Sequence, residues 1–181
     1  GTVLLEALAL GCRVIGSDND AAAIAESRAN IQWALGADAE QHDRVQLCVA
    51  DVRELRSCVP AASVDAVVTE PSLGPVRWSG VRGQVSGVVH ELHALYVAAF
   101  REFAKVLKSG GRAVFVVPVF RSGATEHAVD IIRDVERLGF RRVNPFPSAL
   151  RAHAALHGRE DLPYARQDQR VGRQILLFER T

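Results

Sequence analysis

The chain has 181 residues, of which 48% are hydrophobic and 24% are charged, and its formal net charge is +1. This length and composition suit one domain with a buried core, and the near-neutral charge excludes a protein that holds nucleic acid through net charge alone. No apolar run approaches the roughly 20 residues that a membrane-spanning helix needs, so we predict no membrane partner.

The first third of the chain predicts a helix, a strand and a second helix. The first helix covers 2–10 and ends at Gly11, a residue that is favoured just past a helix terminus. A short strand over 13–17 follows. Asp20 directly precedes an Ala-rich run and is expected to cap a helix that continues to about Leu35.

The middle of the chain predicts two strands and a long amphipathic helix. The strands cover 45–49 and 64–69. After a Gly-rich loop over 74–87, apolar residues recur at intervals of three and four as far as Leu107, which is typical of an amphipathic helix. Ser109-Gly110-Gly111 is expected to end it.

The last third predicts a continuous apolar strand over 113–117, a helix marked by apolar residues over 128–138, and final strands over 140–143 and 175–178. Near-strict alternation of strands and helices indicates an α/β protein with a mostly parallel sheet covered on both faces. Because no helix separates the last two strands, we expect the last strand to be antiparallel. The Arg-rich segment 145–174 is long enough to carry function.

Three successive strands end in an acidic residue: Asp18, Asp51 and Glu70. Ligands of open α/β sheets bind beyond the carboxyl ends of the strands, and an Asp after the second strand characteristically accepts hydrogen bonds from ribose hydroxyls. Asp51 can accept from an adenine amino group while the backbone of Val52 meets the ring. A single such Asp often only caps a helix, but three in register favour a nucleoside site.

Glu70 and Pro71 form the candidate catalytic corner. The lone pair of an exocyclic nucleobase amine is delocalised into the ring, so the amine is a poor nucleophile. Acceptors that hold its N–H groups can turn the lone pair toward an electrophile, and Glu70 with the Pro71 carbonyl could do so. The plain alternative is a strand end followed by an ordinary Pro-Gly turn.

Other candidate sites are weaker. His90 and His93 have a spacing that metal ligands can use, but no third ligand is evident, so we predict an exposed helix face and no metal. The cysteines have no metal-ligand spacing, and Cys12 and Cys48 lie in apolar runs, so we expect small buried thiols. With no visible signal peptide, this favours a reducing compartment, and we predict a cytoplasmic protein.

Taken together, these residues resemble the class I S-adenosylmethionine-dependent methyltransferases, and within them the THUMP-associated tRNA guanosine N2-methyltransferases that modify tRNA position ten. Residues 1–7, Gly-Thr-Val-Leu-Leu-Glu-Ala, are similar to the second half of that family's first motif. Residues 14–20 are similar to its ribose motif and 50–53 to its adenine motif. The resemblance continues to about residue 175.

The resemblance implies a Rossmann-like fold with strand order 3-2-1-4-5-7-6. The first strand of that order has no counterpart here, and neither does a tRNA-binding THUMP domain. We therefore predict that 1–181 is one methyltransferase domain truncated at its N-terminus. We also expect it to fold poorly by itself, because the missing strand would leave backbone groups unpaired.

The resemblance also implies the cofactor, the partner and the residues of the site. The cofactor is S-adenosyl-L-methionine, the partner is tRNA, and Glu70 and Pro71 are the catalytic residues. The implied cofactor-binding residues are Gly1, Thr2, Asp18, Asn19, Asp51, Val52 and Glu70.

This chain departs from the family at the catalytic corner. Glu70-Pro71-Ser72-Leu73 stands where the family has an Asp-Pro-Pro-Tyr type motif, so no aromatic residue follows to stack on the target base. Trp78 is a candidate substitute. Arginines of the loops are candidate phosphate contacts: Arg77, Arg82, Arg166 and Arg170.

Three other functions stay open. An amino-methyltransferase acting on adenine or cytosine in DNA shares the acid-Pro corner. A non-catalytic cofactor- or RNA-binding subunit is favoured by the missing aromatic after Ser72. A nicotinamide-dependent oxidoreductase is a weaker candidate, because this corner has no place in hydride transfer.

Overall fold

The computed structural model describes residues 1–36, 43–75, 82–122, 125–153, 156, 158–166, 169 and 171–181. The chain forms two compact units, which we call unit 1 (Gly1–Ala61) and unit 2 (Ala62–Thr181). None of the helices in the described ranges combines the length and the apolar content that a bilayer crossing requires.

Unit 1 contains the two helices and two strands that the sequence predicts, and a 3-10 helix that it does not predict. They are α1 (Thr2–Ala9), β1 (Val14–Asp18), α2 (Ala21–Leu35), β2 (Val45–Val49) and a 3-10 helix (Val52–Ser57). Asp20 caps α2 as predicted, because its side chain accepts a hydrogen bond of 2.8 Å from the backbone N–H of Ala22. Gly11 has the positive φ of 85° that a chain reversal after a helix uses.

Strands β1 and β2 pair in parallel, with Val14 opposite Val45 and Asp18 opposite Val49. Leu8 of α1, Val14 of β1 and Ile31 of α2 form the buried core of this unit. The two helices therefore cover the strands through their apolar positions, and both strands end at the same edge of the sheet.

Unit 2 is built on a larger sheet. Its elements are β3 (Val64–Thr69), α3 (Arg82–Val106), β4 (Leu107–Ser122), β5 (Thr125–Ala128), α4 (Ile132–Arg137), β6 (Phe140–Val143), α5 (Ser148–Arg151), β7 (Leu162–Tyr164) and β8 (Val171–Arg180). The strand order is β3-β4-β8-β6, with β5 paired to β4 and β7 paired to β8.

Strands β3, β4 and β6 run in one direction, and β8 runs against β4 and β6. The antiparallel last strand is therefore confirmed. The pairings within the two units correspond to positions 3-2 and 4-5-7-6 of the predicted order. Position 1 of that order has no counterpart among the strands of the described residues.

The core of unit 2 is a cluster of aromatic rings between α3 and the sheet. Phe100 is fully buried, and its ring centroid lies 5.0 Å from that of Phe115, 5.1 Å from that of Phe140 and 5.1 Å from that of Phe178. The apolar spacing of α3 gives the helix one buried face, and Phe100 on that face meets the three rings of the strands. Edge-on and tilted ring contacts at this distance add to the stabilisation from burial.

Four expectations about the elements after α3 were wrong in detail. Ala128 belongs to strand β5, so α4 is shorter than the apolar pattern predicts. The segment 145–174 contains the short strand β7, and β8 is longer than 175–178. The strand assigned after Ser109-Gly110-Gly111 begins earlier, at Leu107, with a break in register between Val64 and Ala66 of the partner strand.

The Gly-Gly pair makes that irregularity possible. Gly110 has a φ of 75°, and a Cβ on Gly111 would lie 2.8 Å from the carbonyl oxygen of Lys108. Only residues without a Cβ fit both positions without shifting the backbone. The irregularity therefore lies between the pairing of Leu107 with Val64 and that of Arg112 with Ala66.

Candidate functional site

Asp18 and Asp51 lie at the same edge of unit 1. Asp18 is the last residue of β1, and Asp51 follows the end of β2 by two residues. The backbone N–H of Ala50 donates to the carbonyl oxygen of Asp18 at 2.9 Å, which ties the two strand ends together. This is the edge at which parallel sheets bind nucleosides.

Asp18 is partly engaged by its own turn. Its Oδ1 accepts a hydrogen bond of 2.9 Å from the backbone N–H of Asp20. An ionised carboxylate offers about four acceptor positions, so the second oxygen of Asp18 can still accept from a hydroxyl. Asn19 is exposed beside it.

Asp51 is held by Arg53. Its Oδ1 accepts from the backbone N–H of Arg53 at 2.8 Å and from Nε at 2.9 Å, and its Oδ2 accepts from Nη2 at 2.6 Å. The Arg53 side-chain hydrogen bonds are the main reason that the pKa of Asp51 falls to about 2. Asp51 is therefore an ionised, fixed acceptor, next to Val52 at the start of the 3-10 helix.

Gly1 and Thr2 lie at the start of α1. Both residues are exposed, and the Gly1 carbonyl accepts from the N–H of Leu5 at 3.1 Å, which closes the first helical turn. Their assignment to the methionine part of the cofactor stays a prediction.

The cysteine expectations were wrong. Cys48 on β2 and Cys58 form a disulfide, with Cα atoms 6.4 Å apart, and Cys12 is exposed. The 3-10 helix folds the chain back along β2, which brings the two cysteines together although no metal or strand pattern predicts it. Disulfides are typical of oxidising compartments, so the cysteines no longer support the predicted reducing compartment.

In unit 2, Glu70 directly follows strand β3, and a hydrogen bond from Tyr96 holds the turn that comes after it. The hydroxyl of Tyr96, which is fully buried on α3, donates to the carbonyl oxygen of Ser72 at 2.6 Å. Burial, and then the negative charge of Glu70, raise the pKa of Tyr96 far above its ordinary value, so the hydroxyl stays a donor. Gly74 has a φ of 95° and completes the turn.

Glu70 is clamped by Arg173, a residue that the sequence did not single out. Arg173 Nε donates to Oε2 at 3.0 Å and Nη2 donates to Oε1 at 3.1 Å, a bidentate pair across 103 sequence positions. The carboxylate side chain remains 48% exposed. It is therefore oriented, yet open to a ligand.

A cavity of about 360 Å³ lies beside this carboxylate. Its lining residues are Glu70, Val116, Tyr164, Arg166, Gln169, Arg173 and Ile175, all from unit 2. Of these, sequence reasoning had named only Glu70 and Arg166. The other predicted loop contacts, Arg77, Trp78 and Arg170, lie outside the described residues, as does the side chain of Arg82.

The predicted exposed face of α3 holds for His90 but not for His93, which is partly buried. His93 pairs with Asp134 of α4 at 3.0 Å, and His90 is exposed. No cluster of three or more potential metal ligands occurs in the described part of the chain. The Ser72 hydroxyl accepts from the N–H of Gly74 at 3.4 Å, within its own turn.

A family model described as "RMKL-like, methyltransferase domain" matches residues 5–129. Solved structures with this fold include TrmN from Thermus thermophilus, with 19% identity and a TM-score of 0.58 over 100% of this chain and 41% of that chain. Geranyl diphosphate C-methyltransferase from Streptomyces coelicolor A3(2), in complex with Mg²⁺, geranyl diphosphate and S-adenosyl-L-homocysteine, has 14% identity and a TM-score of 0.56 over 100% and 68%.

A third structure, PH0226 protein from Pyrococcus horikoshii OT3, has 14% identity and a TM-score of 0.54 over 99% of this chain and 76% of that chain. These likenesses confirm the predicted Rossmann-like α/β fold. No curated protein matches the chain. The chain spans between 41% and 52% of the length of the first solved structures that it matches.

Proposed function

Because the chain belongs to the RMKL-like methyltransferase domain family, we propose that it methylates an exocyclic amino group of a nucleobase, with N2 of guanine in tRNA as the target. S-adenosyl-L-methionine, when bound, supplies the electrophilic methyl group on its sulfonium. The observation that carries the proposal is the Glu70-Pro71 corner. It presents an oriented, half-exposed carboxylate at the end of β3 and beside an open cavity.

The corner acts on the amine of the acceptor. Glu70 and the Pro71 carbonyl accept hydrogen bonds from its N–H groups, which directs the nitrogen lone pair at the methyl carbon. The new N–C bond forms as the S–C bond breaks in line, the electron pair returns to sulfur, and the amine loses one proton. Proline fixes the backbone at this point and brings no competing donor.

The residues of unit 1 fit the nucleoside of the methyl donor. Asp18 retains an oxygen for the ribose hydroxyls, and Asp51 is an ionised acceptor for the adenine amino group. The backbone of Val52 and the exposed Asn19 lie next to these carboxylates in the chain. Gly1 and Thr2 would border the methionine moiety, with Glu6 supporting that turn.

The partner is tRNA, whose target base must leave its stack to reach the corner. In this proposal the chain is the catalytic part of a longer protein whose N-terminal THUMP domain contributes tRNA affinity, and it works in the cytoplasm. A carboxylate-proline corner also serves DNA amino-methyltransferases, so the nucleic acid is the first point to test.

The test is incorporation of labelled methyl groups by the intact protein, with tRNA and with duplex DNA as acceptors. We expect label in tRNA, and expect Glu70→Ala to abolish it. The matched control is Glu91→Ala, which removes an exposed carboxylate of α3 outside the corner and should leave incorporation unchanged.

Two outcomes would contradict the proposal. Label in duplex DNA but not in tRNA would show that the substrate is DNA. Unchanged incorporation of label by the Glu70→Ala variant would show that Glu70 has no role in the reaction.

A further inference from the structure

The cavity beside Glu70 has an apolar floor. Val116 of β4 and Ile175 of β8 are directly opposite each other in the antiparallel ladder, and both line the cavity. Residues that face each other in such a ladder project from the same side of the sheet. The floor is therefore a flat aliphatic surface next to the end of β3.

One side of the cavity carries an aromatic ring. Tyr164 of β7 pairs with Arg173 of β8, so its side chain lies on the same face as the guanidinium that clamps Glu70. The tyrosine is 48% exposed and lines the cavity. A half-exposed ring in a lining that also contains aliphatic residues offers a face on which a planar ligand can stack.

The lining next to Tyr164 is polar. Glu70 supplies two acceptor oxygens and Arg173 supplies donors, held together by their bidentate pair. The Watson–Crick edge of guanine presents two adjacent N–H donors beside a carbonyl acceptor. A carboxylate with a neighbouring guanidinium complements that edge.

The size of the cavity also limits the ligand. Pockets for small organic ligands range from about 300 to 1,000 Å³, and this cavity is about 360 Å³. It therefore suits one nucleoside unit. Arg166 also lines it, and its backbone N–H donates to the side chain of Gln169 while its carbonyl oxygen accepts from the Gln169 N–H.

We propose that this cavity is the acceptor-base site and that Tyr164 is its stacking residue. Tyr164 thereby takes the place of the aromatic residue that is missing after Ser72. The inference rests on the proposed function, because it names where the methyl-accepting base of that reaction binds. Glu70 and Arg173 read the edge of the base while Val116 and Ile175 support one of its faces.

The experiment measures binding of guanosine 5′-monophosphate to the intact protein by calorimetric titration. We expect Tyr164→Ala to weaken binding about 10-fold or more, because it removes a stacking surface. Tyr164→Phe keeps the ring and should bind within about twofold of the wild type. Trp33→Ala, which removes an aromatic side chain that is 87% exposed on α2 of unit 1, should also leave binding unchanged.

The same variants are then assayed for methyl transfer to tRNA. We expect Tyr164→Ala to raise the KM for tRNA about 10-fold or more, with the affinity for S-adenosyl-L-methionine unchanged. No binding of the nucleotide by the wild type at millimolar concentration, or equal binding by Tyr164→Ala, would overturn the assignment of the site.

The two proposals fail in different ways. Transfer to tRNA with an unchanged KM in Tyr164→Ala would overturn the cavity assignment and leave the proposed function in place. Tyr164-dependent nucleotide binding without any transfer to tRNA would support the cavity and overturn the proposed function.

Discussion

The acidic residues of the two units are held in different ways. In unit 1, Asp18 and Asp51 are fixed by groups two residues away, the N–H of Asp20 and the backbone and side chain of Arg53. In unit 2, Glu70 is fixed by Arg173, which is 103 positions away in the chain. The two aspartates of unit 1 are thus held by local contacts, whereas Glu70 of unit 2 is held by the assembled sheet.

This difference has a physical consequence. A carboxylate that is oriented by its own turn needs only the strand before it to be formed. Glu70 needs β3, β4 and β8 in register, because Arg173 reaches it only through the pairing of β8 with β4. Changes in the core of unit 2 should therefore disturb Glu70 and leave Asp18 and Asp51 in place.

The largest effect is expected from Phe100→Ala. Phe100 contacts rings of β4, β6 and β8 and is fully buried, so its removal should cost about 3–5 kcal/mol of unfolding free energy. Chemical denaturation of the variant checks this. Leu10→Ala, at a position that is 83% exposed, is the control and should change the unfolding free energy by less than about 0.5 kcal/mol. Equal effects of the two substitutions would contradict the assigned core.

The next effect is on catalysis, through Arg173. Arg173→Ala should lower the rate of methyl transfer about 10-fold, because charge-assisted hydrogen bonds to Glu70 are lost. Arg173→Lys keeps the charge without the bidentate geometry and should recover part of that rate. If Arg173 acts only by positioning Glu70, adding Arg173→Ala to Glu70→Ala lowers the rate no further. A further loss in the double variant would show an independent role.

Features that depend on neighbouring residues could be predicted from the sequence, whereas features that depend on distant residues could not. The cap at Asp20, the strand ends at Asp18 and Glu70 and the reversal at Gly11 depend on neighbouring residues, and the structure places them as expected. The clamp by Arg173 and the cavity wall at Tyr164 arise from pairing between distant strands. No spacing in a single sequence reports such pairing.

The errors have identifiable physical causes. Ala128 fits an apolar helical period, but β5 pairs with β4 over residues 125–128 and uses that residue in a strand. Cys48 and Cys58 are ten residues apart, and only the unpredicted 3-10 helix between them makes the bond possible. In both cases tertiary pairing outweighed a local pattern.

A smaller effect is expected at the turn after Glu70. Tyr96→Phe removes the hydrogen bond to the Ser72 carbonyl and keeps the ring that packs edge-on against Phe115 at 5.0 Å. The unfolding free energy should fall by about 1 kcal/mol. Because the turn carries Pro71, methyl transfer should fall as well, which a transfer assay checks. A variant that is less stable but transfers methyl groups at the full rate would show that catalysis does not need this hydrogen bond.

The smallest effect concerns the locally held Asp51. Arg53→Ala should raise the pKa of Asp51 from about 2 toward 3.8, which a titration of the carboxyl carbon by NMR measures. A depressed native pKa stabilises the fold above the unfolded pKa, and this contribution is lost as the pH falls from about 4 to 2. The unfolding free energies of the variant and the wild type should therefore converge as the pH falls toward about 2. A pKa that stays near 2 in the variant would contradict the role of Arg53.

The most direct test of the account is the single-turnover rate of Glu70→Ala with tRNA and S-adenosyl-L-methionine both saturating, read out as N2-methylguanosine by mass spectrometry. Under these conditions binding and product release no longer limit the rate. The account predicts a loss of about 100-fold or more, because the oriented acceptor for the amine is gone. A rate within about threefold of the wild type would contradict it.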